Sequence, residues 1–403
     1  MDIFLTRQPV FDRYLNVFAY DLMFHTDFEN LYQNPDWDSA NNTSLALNLL
    51  SYKLEAITRG KQAIIRFNDN MLQQDLYKLF PAKNVAVELR HPSDENKDTL
   101  AVCKQIRSAG KPVVLDITDI ETPADDWLML SDIVKLNVTA SAAAMAINRQ
   151  NNGNANIKFL AEKVDNKALF DKAMRAGCHY FTGDFYGHPG FKVCEGVPSQ
   201  KINQLLLLQE INYPDISFDR LTEIIKRDVG LSYKLMQYIN SAYFGFAQDI
   251  RSLNYALALL GIFSIKKWLS KELLYTMCQD KPDELVVNSL VRARFCELIS
   301  QKTSLQHRAS EMFLIGLFSR LDAFLDRDLS EVLDTLPLSD DIKSTLTAEP
   351  SVFNDLFQLM LAYESGDWQD VKRLADAIGF RVSDLPVLFI KSLEWSHHLF
   401  CEV

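Results

Sequence analysis

AIIRF (63–67) before Asn68, NVAV (84–87) before Glu88, PVVL (112–115) before Asp116, DIV (132–134) before Lys135 and IKFLA (157–161) before Glu162 decide the fold of the first half of this chain. Each is a short β-branched or apolar run that ends on one polar residue. Stretches with helical spacing follow several of them, as at 98–109 and 167–176. Short apolar runs read as strands buried on both faces, and strands alternating with helices build a parallel sheet. This many strand–helix units favours closure into a (β/α) barrel, whose strand ends converge on one rim. The ladder therefore predicts a TIM-like barrel and the position of its site.

Further strands extend the pattern outward: RQPVF (7–11), VFAYDLMF (17–24) and HYFTGDF (179–185). RSAGKPVVLD (107–116) and MRAGCHYFTG (174–183) share one grammar, a helix end, a glycine just past it, then a strand. Around HPGFKVCEGVPSQK (188–201) the texture changes. From Ile202 the β-branched runs nearly vanish and helical periodicity takes over, as in INQLLLLQEI (202–211) and FDRLTEIIKRD (218–228). The expected class is α/β plus all-α, with a barrel over residues 1–198 and a helical domain over 199–403.

The length, 403 residues with 48% hydrophobic, suffices for two cores. A net charge of −11 argues against a general nucleic-acid or anionic-membrane surface. The six cysteines are scattered without CxxC spacing, which fits a reduced, cytoplasmic protein. Cys178, His179 and His188 match no zinc pattern. No run approaches a membrane span and the start does not read as a signal peptide, so no membrane insertion is expected.

The rim residues carry a resemblance. In order and spacing, residues 1–190 resemble an EAL domain, a barrel that in active members hydrolyses cyclic di-GMP with two divalent metals. RQPVF resembles the opening strand, which puts Gln8 at a contact to the nucleotide. VFAYDLMFH resembles the segment that normally reads YEALLR, so Asp21 stands for a metal-binding glutamate and His25 for a phosphate-gripping arginine. The resemblance implies Asn68, Glu88 and Asp116 as further metal ligands, and Lys135 and Glu162 as remnants of the catalytic set. It also marks departures. Ile117 replaces a second aspartate, Asn137 an acid, Asp165 a glutamate and Thr182 a glutamine, while Gly183 is kept. Two-metal hydrolysis needs both ions clamped, and Mg²⁺ demands near-ideal oxygen geometry. Ile117 has no oxygen, Asp21 is one methylene short, and His25 lacks the arginine fork. Asp119 or Asp184 is the candidate to replace the lost carboxylate.

The second half resembles an HDOD domain, a relative of HD-type metal phosphohydrolases without their ligands. The quotable stretch runs from Leu221 to Leu269, LTEIIKRDVGLSYKLMQYINSAYFGFAQDIRSLNYALALLGIFSIKKWL. Asp228 is expected to cap a helix, Asn240 and Ser241 to sit at a helix end, Gly245 to give its loop turn freedom, and Gly261 to permit close packing or a bend. Where an active HD enzyme reads GLLHD this chain reads GLFSR (316–320), with Ser319 and Arg320 at the ligand positions.

Together the resemblances imply a bacterial signal-transduction protein with a degenerate phosphodiesterase barrel. It would act by binding a nucleotide such as cyclic di-GMP, a signalling partner, or both. No cofactor is required, one Mg²⁺ or Mn²⁺ in the barrel is compatible with the remaining ligands, and a homodimer fits the barrel family. Two alternatives stand beside it: a weakly active cyclic di-GMP phosphodiesterase with an altered metal shell, and a protein scaffold that binds no nucleotide.

Overall fold

In a computed structural model, residues 4–25, 28, 52–90, 97–117, 125–137, 157–191 and 201–400 are described, apart from 214, 242, 243, 245, 247, 249, 278, 279, 335 and 337. Eight strands close into a barrel in chain order: β1 (Phe4–Phe11), β2 (Val17–His25), β3 (Gln62–Arg66), β4 (Val85–Arg90), β5 (Val113–Asp116), β6 (Ile133–Asn137), β7 (Lys158–Glu162) and β8 (Tyr180–Thr182). From β2 to β8 each strand pairs parallel with the next. The expected TIM-like closure is present, with one difference: β1 runs antiparallel to both β2 and β8. The cause is local. Only five residues separate β1 from β2, and Asp12 ties them into a turn by accepting from the backbone N–H groups of Tyr14 and Asn16 at 2.8 and 3.0 Å. A parallel crossover would need a dozen or more residues.

Helices that follow strands on the barrel include α1 (Asp69–Gln73), α2 (Lys97–Ser108), α3 (Asp125–Leu130) and α4 (Lys167–Ala176), and residues 52–58 are helical ahead of β3. The shared grammar of the two glycine phrases is realised. α2 gives way to β5, and α4 ends where Gly177 adopts φ 98° and sends its N–H back to the carbonyls of Ala173 and Met174 before β8 begins.

From Lys201 onward the described chain is helical. Its elements are α5 (Lys201–Asn212), α6 (Phe218–Arg227), α7 (Val229–Ile239), α8 (Leu253–Met277), α9 (Asp283–Ser300), α10 (Ala309–Phe318), α11 (Leu321–Leu325), α12 (Leu329–Asp334), α13 (Asp340–Leu346), α14 (Asn354–Ser365), α15 (Trp368–Ala377) and α16 (Leu385–Phe400). Asp228 caps α7, accepting from the N–H of Leu231 at 3.0 Å. The bend expected at Gly261 is a break in α8, with φ 71° and ψ 164°. Gly245 lies outside the described residues.

The chain divides into two compact units. One holds residues 1–191 with 361–376 and 381–387; the other holds 192–360, 377–380 and 388–403. The barrel unit thus takes in a segment from far along the chain. Within it the Trp368 ring meets Phe4, Phe28 and Tyr363, with centroids 5.9, 6.4 and 5.5 Å apart. Among the described residues, no helix is long and apolar enough to cross a membrane.

Candidate functional site

The pleat assembles the site. One residue from every strand packs into a single layer inside the barrel: Val10, Ala19, Ile64, Ala86, Val114, Ile133, Leu160 and Tyr180. Side chains two positions apart on a strand share a face. One step toward the rim, that alternation gives a second ring: Gln8, Asp21, Arg66, Glu88, Asp116, Lys135, Glu162 and Thr182. An apolar floor beneath and a polar ring above is how a closed barrel presents its strand ends.

Two cations organise the ring. The Lys135 ammonium lies 2.6 Å from Asp21 Oδ2, 3.2 Å from Glu88 Oε2 and 3.2 Å from Glu162 Oε1. Arg66 sits on the other side of Glu88. Its Nη2 is 2.6 Å from Glu88 Oε1 and 2.8 Å from Asp116 Oδ2, and its Nε donates to Glu88 Oε1 at 2.8 Å. Glu88 is therefore shared, one oxygen to each cation. Four carboxylates face two positive charges.

Burial sets the electrostatics. Lys135 and Glu88 are 2% and 1% exposed, so water screens neither. Enclosure works against the Lys135 ammonium, but Asp21, Glu88 and Glu162 together hold its pKa well above that of an ordinary lysine. Burial pushes Glu88 up; Lys135 and Arg66 oppose that rise, while Asp21 and Asp116 add to it. Burial also disfavours the Arg66 charge, yet Glu88, Asp116 and Asp21 outweigh it and raise its pKa further. Lys135 and Arg66 are both charged at neutral pH.

The residues singled out from the sequence have separate fates. Asp21, Glu88, Asp116, Lys135 and Glu162 come together. Gln8 stands directly across from Asp21 in the β1–β2 register. His25 ends β2 opposite Phe4. Asn68 takes another place. It is the N-cap of α1, where its side-chain oxygen accepts from the N–H of Met71 at 2.8 Å. β3 ends at Arg66 and the chain turns at once into α1, so the side chain that reaches Glu88 and Asp116 is Arg66. Sequence reasoning passed over Arg66, although the two-residue alternation from Ile64 points to it.

Ile117 is buried, and its N–H donates to the carbonyl of Lys135 at 2.9 Å. Thr182 is fully enclosed, and its hydroxyl has no hydrogen-bond partner among the described residues. Asp165 is exposed, Asp184 lies 3.7 Å from His188 Nε2, and Asp119 falls outside the described residues. Among the described residues, no three His, Cys, Asp or Glu side chains are grouped as a metal ion would require. The carboxylate oxygens of the ring are the ones that Lys135 and Arg66 hold.

In the helical unit the GLFSR phrase closes α10. Ser319 donates to the carbonyl of Gly316 at 2.8 Å and accepts from Arg292 Nη1 at 3.1 Å. Asn240 has a structural task. It accepts from the N–H of Ile250 at 2.6 Å and donates to its carbonyl at 2.8 Å, pinning both ends of the intervening loop.

Comparison with known proteins places these features. Residues 198–327 match the HDOD domain model. The chain is 29% identical over 408 residues to YuxH of Bacillus subtilis (strain 168), covering 99% of each protein. It is 27% identical over 401 residues to the cyclic di-GMP phosphodiesterase CdgJ of Vibrio cholerae, covering 98% of this chain and 93% of that one. Among solved structures it is similar to the Bacillus subtilis YkuI protein, which has an EAL domain and was solved with cyclic di-GMP and calcium. That match has 13% identity, a TM-score of 0.38, and covers 64% of this chain and 73% of that one. A standalone EAL protein of Vibrio cholerae in its cyclic di-GMP-bound form gives 19% identity, a TM-score of 0.37, and 47% and 93% coverage. The chain carries an HDOD domain at residues 198–327 and is related along nearly its whole length to a cyclic di-GMP phosphodiesterase.

Proposed function

We propose that this protein is a bacterial signal-transduction protein related to cyclic di-GMP phosphodiesterases whose barrel binds rather than hydrolyses. One observation carries the reading. Arg66 bridges Glu88 and Asp116 at 2.6 and 2.8 Å, so the carboxylates that would clamp an ion already hold a positive charge of the chain. Two-metal hydrolysis needs free carboxylate oxygens on both ions, to generate hydroxide and to spread the charge of the phosphate. Here Lys135 and Arg66 take up those oxygens, Ile117 offers none, and Thr182 is too short to extend toward a ligand. The residues do not fit a two-metal centre.

The remaining chemistry suits recognition. The outer edge of Arg66 faces solvent at the mouth, 41% exposed, and Gln8 offers an amide on the same ring. A cyclic dinucleotide has two phosphates and two purine edges, matching a guanidinium and an amide. The HDOD half, with its metal positions replaced, serves as the docking module for a signalling partner in the cytoplasm.

A second reading is favoured by the relative named as a cyclic di-GMP phosphodiesterase, which aligns over 98% of this chain. In it, the site retains weak hydrolysis with an altered metal shell. Incubation of purified protein with cyclic di-GMP and Mg²⁺ or Mn²⁺ separates the two. The binding reading expects no linear pGpG above an EDTA control, and heat of binding by calorimetry. Appreciable turnover that disappears in Glu88→Ala would establish the enzyme instead.

A further inference from the structure

We propose that Arg66 is a built-in cation that stands in for a divalent ion, so the barrel site works without metal. This deepens the binding reading and rests on it. The argument begins with placement. Arg66 is the rim residue of β3, on the face continued from Ile64 in the core layer. Its guanidinium reaches the next strand, where it meets Glu88, and the strand beyond, where it meets Asp116. Bridging carboxylates from different strands is the geometric task of a metal ion in such a ring. A guanidinium does it with a planar set of donors and a charge that cannot be removed by deprotonation.

Charge and space both oppose an added ion. A divalent cation bound by Glu88 or Asp116 oxygens would sit at 2.0–2.6 Å from them, by ordinary Mg²⁺ and Ca²⁺ geometry. Arg66 nitrogens lie 2.6–2.8 Å from those same oxygens. The ion and the guanidinium would overlap and repel. Moving Arg66 aside would leave Lys135 as the one cation among the named ring residues for four carboxylates. The amide two residues on cannot enter as a ligand without giving up its cap on α1. Because the competing charge is an arginine, raising the pH does not open the site to metal.

The test uses the full chain and Mn²⁺ alone as the probe. Free Mn²⁺ is followed by electron paramagnetic resonance, and thermal unfolding is recorded with and without the ion. The wild type is expected to leave the Mn²⁺ signal free and its midpoint unchanged. Arg66→Ala should bind about one Mn²⁺ per chain. Its midpoint should rise by roughly 5 °C when Mn²⁺ is about 100-fold above its dissociation constant. Arg66→Lys, which keeps the charge, should behave as wild type. Saturable Mn²⁺ uptake by the wild type overturns the proposal, as does a folded Arg66→Ala that takes up none. Should Arg66→Ala fail to fold, Arg66→Gln is read the same way, and if neither folds the wild-type titration decides alone. The pGpG assay keeps the two readings apart. Mn²⁺ uptake without pGpG removes the built-in cation and leaves the binding reading. Formation of pGpG in EDTA removes the binding reading and leaves the metal-free site.

Discussion

Arg66 on β3 reaches past β4 to Asp116 on β5, with 2.8 Å between Nη2 and Oδ2. The contact joins two strands that are not neighbours in the sheet. It exists because a closed barrel turns every strand end toward one axis. The same geometry lets Lys135 on β6 reach Asp21 on β2.

Lys135→Met should be costly at neutral pH. It removes an enclosed ammonium and leaves Asp21 and Glu88 without it, and breaking a buried pair from one side costs about 3–5 kcal/mol. The loss should shrink on acidification. Burial already raises Glu88 above the usual carboxylate pKa of 4.5, and losing Lys135 raises it further. A group whose folded pKa is raised stabilises the fold at low pH and loses that contribution as pH climbs through the folded value. Denaturant unfolding of wild type and variant, from neutral to mildly acidic pH, measures this. A gap that stays constant would show that Lys135 acts through packing.

His179 should make the barrel unit sensitive to acid. Its Nδ1 accepts from the N–H of Phe159 at 3.3 Å, which requires an unprotonated nitrogen. Burial, then Arg13 and Lys158, hold its pKa below the ordinary 6.5. Below about pH 6.5 the unfolded chain therefore takes up a proton that the folded chain resists, and stability falls as pH falls. Thermal midpoints between about pH 7.5 and 5.5 should drop less in His179→Gln than in wild type. Equal slopes would remove His179 as the cause.

Gly316→Ala should destabilise the helical unit by about 3 kcal/mol. A Cβ there would lie 2.5 Å from Ala293 N and 2.6 Å from Ala293 Cα and Arg292 C. These are backbone atoms of α9 and cannot swing aside, so α10 would have to move bodily. A lower urea midpoint with unchanged slope is the expected record.

Trp368→Ala should destabilise the barrel unit by about 3–5 kcal/mol, the usual cost of removing a large buried aromatic. Trp368 is 6% exposed against Phe4, Phe28 and Tyr363. A chain ended at residue 198 lacks both Trp368 and Tyr363. It should melt below the full chain's barrel and bind a hydrophobic dye such as ANS. An equally stable truncated barrel would show that the return segment is dispensable.

Much of this molecule is legible locally. The β-branched runs and their single polar endings place Glu88, Asp116, Lys135 and Glu162 on one rim because side-chain direction has period two in any strand. The change of periodicity after residue 198 announces the helical half.

The choice between Arg66 and Asn68 was not legible in this way. Both have the parity of Ile64, so alternation alone points at either. What decides is where β3 stops and α1 starts: the helix needs a cap, Asn68 supplies it, and the rim falls to Arg66. The five-residue connection after Phe11 already forces β1 and β2 antiparallel; that β1 also closes antiparallel on β8 shows only in the barrel.

By itself, then, the sequence determined the strands, the helices and the rim carboxylates. All of these follow from local periodicity and residue chemistry. Tertiary structure alone decided that Arg66 and Lys135 divide the carboxylates between them, and that residues 361–376 belong with the barrel. Those outcomes depend on distances between residues far apart in the chain, which closure and packing set and local pattern does not carry.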